Sequence, residues 1–310
     1  MCRDVKIPVV DPALFAGKCS CGGSHPAPDI RLYSGEDVWE VLAADARSVL
    51  NSQPVMVMAD QNTYPAAGAA VTAALQAASV SVALHILPGD IHLTEELARK
   101  VIARTKGISL VIAVGAGTIN DLGKYTAQHL GIPYWTVPTA PSMNGYTSSI
   151  AAIKKDGVKR TLPSAPPRIV YAHPRVIRNA PLKLTQAGYC DVMAKSVSDI
   201  DWQIESTLFG GAYCTLPSAI MVDAEPLYAN RPEQIAAGDA AAVDALFRGL
   251  LVSGMAMTLA GSSAPASGGE HLVSHFWDMR EDLTGRVPEL HGLQVGAGIL
   301  LSAACYEKLR

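Results

Sequence analysis

Val111-Ile-Ala-Val-Gly115-Ala-Gly117-Thr118-Ile-Asn120-Asp121 passes from an unbroken apolar run into two glycines and then into helix-compatible sequence. An apolar run of that length reads as a strand buried on both faces, the kind found in parallel sheets covered by helices. Glycines at the strand end let backbone N–H groups and a helix N-terminus approach a pyrophosphate. The spacing is not G-x-G-x-x-G, and a strand-to-helix turn that needs positive φ would be written the same way. On this stretch alone both readings stand.

Working outward, short β-branched runs alternate with longer amphipathic ones from Pro54 to Pro138, as in successive βαβ units. The strands are predicted at Val55–Asp60, Ser81–Leu87, Ser109–Val114 and Pro133–Val137, with helices between them. The clearest helix is Thr94–Thr105, with Thr94 as cap, Glu95 and Glu96 at its positive end, Leu97, Val101 and Ile102 as its stripe and Gly107 as its stop. Beyond Ser148, Ile150–Lys154 and Val158–Leu162 flank Lys155-Asp156-Gly157, a tight hairpin turn, and Arg168–His173 supplies one more strand. From Pro181 the periods are helical, over Leu184–Leu208, Ile235–Ala260, Gly269–Met279 and His291–Leu309. The expected division is an α/β unit over 1–180 and an all-α unit over 181–310, after a Pro/Gly/Ser-rich opening to about Asp29.

With 49% hydrophobic and 17% charged residues in 310, the chain has apolar material for one large or two ordinary domains. A net charge of −3 with no block of like charges argues against a nucleic-acid partner. Met1 to Leu14 lacks the pattern of a signal sequence, and no run reaches the roughly 18 apolar residues of a membrane span. The expectation is a soluble cytoplasmic protein without membrane insertion. In a reducing compartment the six cysteines (Cys2, Cys19, Cys21, Cys190, Cys214, Cys305) read as free thiols.

Several residues invite chemistry. Asp60, at a strand end, can accept hydrogen bonds from a ribose, with Thr63 close behind, although strand-end aspartates are common for local reasons. Thr136 to Ser148 is a hydroxyl- and proline-rich loop at the carboxyl end of a strand, the edge where α/β sheets bind ligands. His271 and His275 are four apart and share a helix face. His291 before Gly292 and Asp191 near another helix could join them, and three protein ligands with open positions make a catalytic metal site. Cys19-Ser-Cys21-Gly-Gly-Ser-His25 offers three candidate ligands where a closed zinc site needs four, so it is read as structural.

Gly115 to Asp121, Pro138-Thr-Ala-Pro-Ser-Met-Asn-Gly145, Gly188-Tyr-Cys-Asp191 with Ala194-Lys195, Gly269-Glu-His271 with Ser274-His275, and His291-Gly292 together resemble the sn-glycerol-1-phosphate dehydrogenases. That family sits within the superfamily of iron-type alcohol dehydrogenases, glycerol dehydrogenases and 3-dehydroquinate synthases. The likeness runs in order from about Asp60 to Gly298, and Pro-Thr-Ala-Pro-Ser points to the bacterial, arabinose-operon branch. It implies a Rossmann-like parallel-sheet domain followed by an all-helical metal-binding domain, as in dehydroquinate synthase. It further implies that Gly115, Ala116, Gly117, Thr118 and Ile119 hold the pyrophosphate of NAD(P), and that Thr139, Ser142 and Ser148 lie on the nicotinamide side. Asp191, His271 and His291 would bind one divalent metal, zinc ahead of nickel or iron, with Asp191 and His275 also facing substrate. The implied reaction is reduction of dihydroxyacetone phosphate to sn-glycerol 1-phosphate. Lys195 and Lys159 are candidate phosphate partners, each equally readable as a solvated surface lysine.

The chain departs from the family in two places. Asn144 stands where the family usually has an aspartate, which keeps the hydrogen-bonding shape and drops the charge. The sequence also stops at Arg310, short of where family members usually run, so the helical half is expected either to be truncated or to have apolar surface covered by a partner in a homodimer or higher homo-oligomer. Two alternatives remain at this level: a lyase or cyclase of the dehydroquinate-synthase kind, and a catalytically impaired homologue that binds nucleotide or metal.

Overall fold

A computed structural model describes residues 3–4, 15, 18–49, 53–222, 224–285 and 289–308. Its first half comprises β1 (Arg3–Asp4), β2 (Arg31–Ser34), α1 (Val38–Val49), β3 (Val55–Asp60), α2 (Ala69–Ala77), β4 (Val82–Leu87), α3 (Glu95–Arg104), β5 (Leu110–Gly115), α4 (Gly117–Leu130), β6 (Tyr134–Pro138), β7 (Ile150–Lys155), β8 (Val158–Pro163) and β9 (Ile169–Ala172). Seven strands form one sheet in the order β1-β2-β9-β6-β5-β3-β4, and β7 pairs with β8 as a separate hairpin. Every pairing in the large sheet is parallel except β1 with β2.

The sequence logic of this half holds. β5 is buried at every position, as a strand covered on both faces must be. Edge strand β4 leaves Leu84 and Ile86 partly open to solvent. The Thr94 hydroxyl caps α3 by accepting from the Leu97 N–H at 3.2 Å. Asp156 and Gly157 both take positive φ, 52° and 75°, as a type I′ hairpin turn requires. β4 and β5 lie on opposite sides of β3, so the strand order reverses there, and the carboxyl ends of β3 and β5 flank the crevice where doubly wound sheets bind nucleotides.

The second half is helical: α5 (Pro174–Arg178), α6 (Leu182–Met193), α7 (Lys195–Phe209), α8 (Thr215–Val222), α9 (Glu225–Ala229), α10 (Pro232–Ala236), α11 (Ala240–Ala260), α12 (Gly269–Thr284) and α13 (His291–Glu307). The long apolar α11 meets the length and composition of a membrane span, but 72% of that stretch is buried inside the molecule, where it serves as the core helix. Where α6 approaches the loop after β6, a Cβ on Gly188 would lie 1.9 Å from the Pro141 carbonyl oxygen, so only glycine permits this contact.

Several expectations need correction. The helix expected over Leu184–Leu208 is two, because the Ala194 N–H bonds the Asp191 carbonyl three residues back and the chain changes course there. The helix expected over Ile235–Ala260 is also two, with Asp239 capping α11 through the Ala242 N–H at 2.9 Å. β2 and α1 were not foreseen, the first for its four-residue length. Cys19, Cys21, Cys190, Cys214 and Cys305 are free thiols. Cys2, Leu309 and most of Met1 to Leu14 lie outside the described residues.

Candidate functional site

Three helices bring Asp191, His271 and His291 together. Asp191 stands in the last turns of α6, His271 in the first turn of α12, and His291 opens α13. The close approach of α13 to α6 depends on Gly292, where a Cβ would meet the Ala187 carbonyl oxygen at 2.0 Å, one helical turn from Asp191. One side-chain donor from each of the three residues lies within 4.8 Å of the other two. His271 Nε2 is 3.6 Å from Asp191 Oδ1. Donors about 2.1 Å from a tetrahedral zinc lie about 3.4 Å apart, so the spacing fits one ion.

The hydrogen bonds around these donors leave their inner atoms free. Asp191 Oδ2 accepts from the Asn144 backbone N–H at 2.7 Å, while buried Oδ1 has no partner within 3.5 Å and faces His271 Nε2 at 3.6 Å. A buried carboxylate oxygen with no donor is costly unless a cation faces it. Glu270 Oε1 lies 2.7 Å from His271 Nδ1 and also accepts from the Gly268 N–H at 2.8 Å, so the proton on Nδ1 is fixed and Nε2 turns toward Asp191. At His291, Nδ1 is 2.8 Å from Ser274 Oγ, whose own proton goes to Gln294 Oε1 at 2.9 Å. In the tautomer with the proton on Nδ1, that nitrogen donates to Ser274 Oγ and Nε2 is free; the Lys159 ammonium, 3.3 Å from the same nitrogen, then contributes charge and no hydrogen bond there. Such carboxylate–imidazole and hydroxyl–imidazole supports are what metal-binding histidines require.

The electrostatics agree with a site built for positive charge. Burial opposes protonation of His271, but hydrogen bonds and charge from Asp191 and Glu270 outweigh it and hold the imidazole pKa up at about 9. Without an ion, a proton on His271 stands in for the cation. His275, one turn along α12 with its ring 6.3 Å from that of His271 and 6.0 Å from that of His291, is pushed down to about 4 by burial and by the positive charges of Lys159 and His271. It is a neutral base at neutral pH. Burial also lowers His291.

The two candidate phosphate lysines separate clearly. Lys159, on β8, sits 3.3 Å from His291 Nδ1 and 3.2 Å from Asp278, beside the triad. Lys195 is paired with Glu225 at 2.7 Å.

On the sheet side, no side chain caps the start of α4, and Ala116, Gly117 and Thr118 remain partly accessible. The first N–H groups of α4 are therefore open to an anion. A Cβ on Gly115 would strike Ile119 at 2.5 Å, so this glycine permits close packing of α4 on its strand. Gly117 faces Met143 Sδ, 3.1 Å from its would-be Cβ. Asp60 Oδ1 accepts from the N–H groups of Asn62 at 2.8 Å and Thr63 at 2.7 Å, while Thr63 Oγ1 accepts from the Asp60 N–H at 3.0 Å, a reciprocal cap on the turn after β3.

The loop after β6 is held from several directions. Thr139 N–H donates to the Gly115 carbonyl at 3.3 Å, and the Tyr146 hydroxyl donates to the Ala140 carbonyl at 2.7 Å and lies 3.2 Å from Ser142 Oγ. Lys124, buried on α4, donates to the carbonyls of Gly145 and Ile150, both at 2.7 Å, and to Ser148 Oγ at 3.1 Å. Ser148 is thus engaged inside the protein. Burial lowers the Lys124 pKa, with Asp121 at 3.5 Å opposing that shift. Sequence reasoning assigned no role to Glu270, Ser274, Gln294 or Lys124. Glu270 and Ser274 carried a signal, each standing in a family motif beside a candidate site histidine.

Residues 35–181 match the profile of the family described as iron-containing alcohol dehydrogenase. The chain is 33% identical over 300 residues to a glycerol-1-phosphate dehydrogenase [NAD(P)+] of Halalkalibacterium halodurans, covering 94% of this chain and 74% of that protein. It is 34% identical over 269 residues to one of the same name from Bacillus velezensis, covering 83% and 68%. Its fold is that of the glycerol dehydrogenase of Schizosaccharomyces pombe, with a TM-score of 0.71 at 19% identity over 93% of this chain and 74% of that one.

Proposed function

The chain belongs to the glycerol-1-phosphate dehydrogenase family of iron-containing alcohol dehydrogenases, and from that membership we propose that it is a metal- and NAD(P)-dependent oxidoreductase interconverting dihydroxyacetone phosphate and sn-glycerol 1-phosphate. The observation that carries this reading at the level of chemistry is the convergence of buried Asp191 Oδ1, which has no partner within 3.5 Å, with two imidazoles whose outer nitrogens are already engaged.

Asp191, His271 and His291 would hold the ion, for which we propose zinc because mixed imidazole and carboxylate donors with an open position suit it. When bound, a divalent ion supplies Lewis-acid polarisation of the ketone and the nicotinamide supplies the hydride. Glu270 and the Ser274–Gln294 pair fix the two imidazoles. The open start of α4 receives the pyrophosphate, and Lys159 offers its ammonium to the substrate phosphate. His275, neutral and making no hydrogen bond among the described residues, accepts the hydroxyl proton in the direction of alcohol oxidation. A cytoplasmic location fits a reaction that draws on reduced nicotinamide. Exposed Leu272, Phe276, Leu300 and Leu301 on α12 and α13 favour a homo-oligomer.

The test is NADH and NADPH consumption by zinc-, nickel- and iron-loaded protein against dihydroxyacetone phosphate, dihydroxyacetone and glyceraldehyde 3-phosphate. The reading expects turnover with the first far above the other two, with stoichiometric accumulation of oxidised cofactor. Product formation without net cofactor oxidation would move the chain to lyase or cyclase chemistry.

A further inference from the structure

We infer that Cys19, Cys21, His25 and Cys214 form a second metal site, a closed four-ligand zinc centre that pins the N-terminal segment to the helical half. The segment Cys19 to His25 contributes three ligands, one fewer than a closed site needs. The fold supplies the fourth. Cys214, immediately before α8, lies with its Sγ 3.4 Å from Cys19 Sγ, although 195 residues separate them in sequence. His25 Nε2 is 3.2 Å from Cys21 Sγ and 3.5 Å from Cys214 Sγ. All four ligand atoms lie within 4.8 Å of one another.

These separations are those of the edges of a coordination tetrahedron. With zinc–sulfur bonds of about 2.3 Å and a zinc–nitrogen bond of about 2.1 Å, sulfurs lie about 3.8 Å apart and sulfur and nitrogen about 3.6 Å apart. A Cys19–Cys214 disulfide would need a separation of about 2.05 Å. Pairwise thiol hydrogen bonds ask for one neighbour each and do not require four side chains to converge on a single point.

The backbone is shaped for the same purpose. Gly22, at φ +82°, closes a turn in which Cys19 N–H bonds the Gly23 carbonyl and Gly22 N–H bonds the Cys19 carbonyl, both at 2.9 Å. The Gly23 N–H then points at Cys21 Sγ at 3.4 Å, a donor to a thiolate. Binding would release the remaining thiol protons to solvent and leave three thiolates and an imidazole around a divalent ion, a net charge of −1 that the backbone donor offsets. The site contains no open position, so its role is to hold structure. Cys214 is buried in the core of the helical half, with Cys19 packed against the same cluster.

Thiolate ligands separate this site spectroscopically from the Asp191 centre, whose donors are oxygen and nitrogen. The full chain is purified anaerobically, stripped with chelator and titrated with Co2+. The expected result is an intense thiolate-to-cobalt charge-transfer band whose amplitude corresponds to one thiolate-bound ion per chain, abolished or strongly weakened in Cys21→Ser and His25→Ala and retained in His25→Cys. Chelator should lower the Tm of the wild-type chain by more than that of Cys21→Ser, which has only the Asp191 ion left to lose. Absence of the band in folded wild-type protein, or a band unaltered in both Cys21→Ser and His25→Ala, would overturn the assignment. So would a Cys19–Cys214 disulfide found by mass spectrometry in the anaerobically purified chain.

Discussion

The backbone N–H of Asn144 donates to Asp191 Oδ2 at 2.7 Å, so the loop after β6 of the sheet positions a carboxylate of the helical half. The contact uses main chain, and it survives a change of side chain at position 144. The Asn144 side chain adds only a long 3.5 Å approach of its amide to the Asp191 carbonyl.

Asn144→Asp therefore keeps the backbone contact but sets a carboxylate against that carbonyl oxygen in a buried site. We expect a loss of about 1–3 kcal/mol in urea-induced unfolding and no gain in turnover. A clear rise in kcat would mean that the wild-type chain is an impaired enzyme.

Glu270→Gln removes the charge that supports the His271 ring while preserving its shape. Metal affinity should fall roughly 10–100-fold with NADH affinity within a few fold of wild type. The check is competitive chelator titration alongside NADH fluorescence. Equal losses of both would contradict a support role confined to the ion.

His275 stands near the triad without a hydrogen bond of its own among the described residues. For His275→Ala we expect turnover to drop by about 10²–10⁴ and bound metal per chain to stay constant. Loss of the metal along with activity would reassign His275 as a ligand.

Some of this was legible in the sequence. The apolar run of β5 and the Thr94 cap needed only local chemistry, and both elements stand where their residues put them. Gly238-Asp239 is also a legible stop and start between α10 and α11, with Gly238 at positive φ and Asp239 as cap. The break at Ala194 had no such mark, since a hydrogen bond reaching three residues back in place of four leaves no trace in residue type. At the site, the His271–His275 spacing gave a helix face, whereas the convergence of Asp191 and His291 depended on family likeness. Glu270 was hidden because neighbours on a helix point about 100° apart, and only a particular rotamer folds its carboxylate back to Nδ1. Cys214 was invisible to any argument from spacing, because its partners lie at the other end of the chain.

Proton linkage at His271 gives a prediction for the metal-free protein. Its folded-state pKa, about 9, lies above the ordinary histidine value of 6.5, so protonation stabilises the metal-free fold fully below about pH 6.5, and that contribution is lost as pH rises through 9. An ion must displace the same proton. Zinc affinity at this centre should thus rise about tenfold per pH unit between 6.5 and 9 and then level off, measured by calorimetry in buffers of differing ionisation enthalpy. A flat profile over that window would contradict a proton held between Asp191 and Glu270.

The most direct test is anomalous diffraction from crystals of the zinc-loaded protein, recorded on both sides of the zinc absorption edge. The account predicts an anomalous peak about 2.0–2.2 Å from Asp191 Oδ1, His271 Nε2 and His291 Nε2 together. Fully loaded crystals with no peak among those three atoms would contradict it.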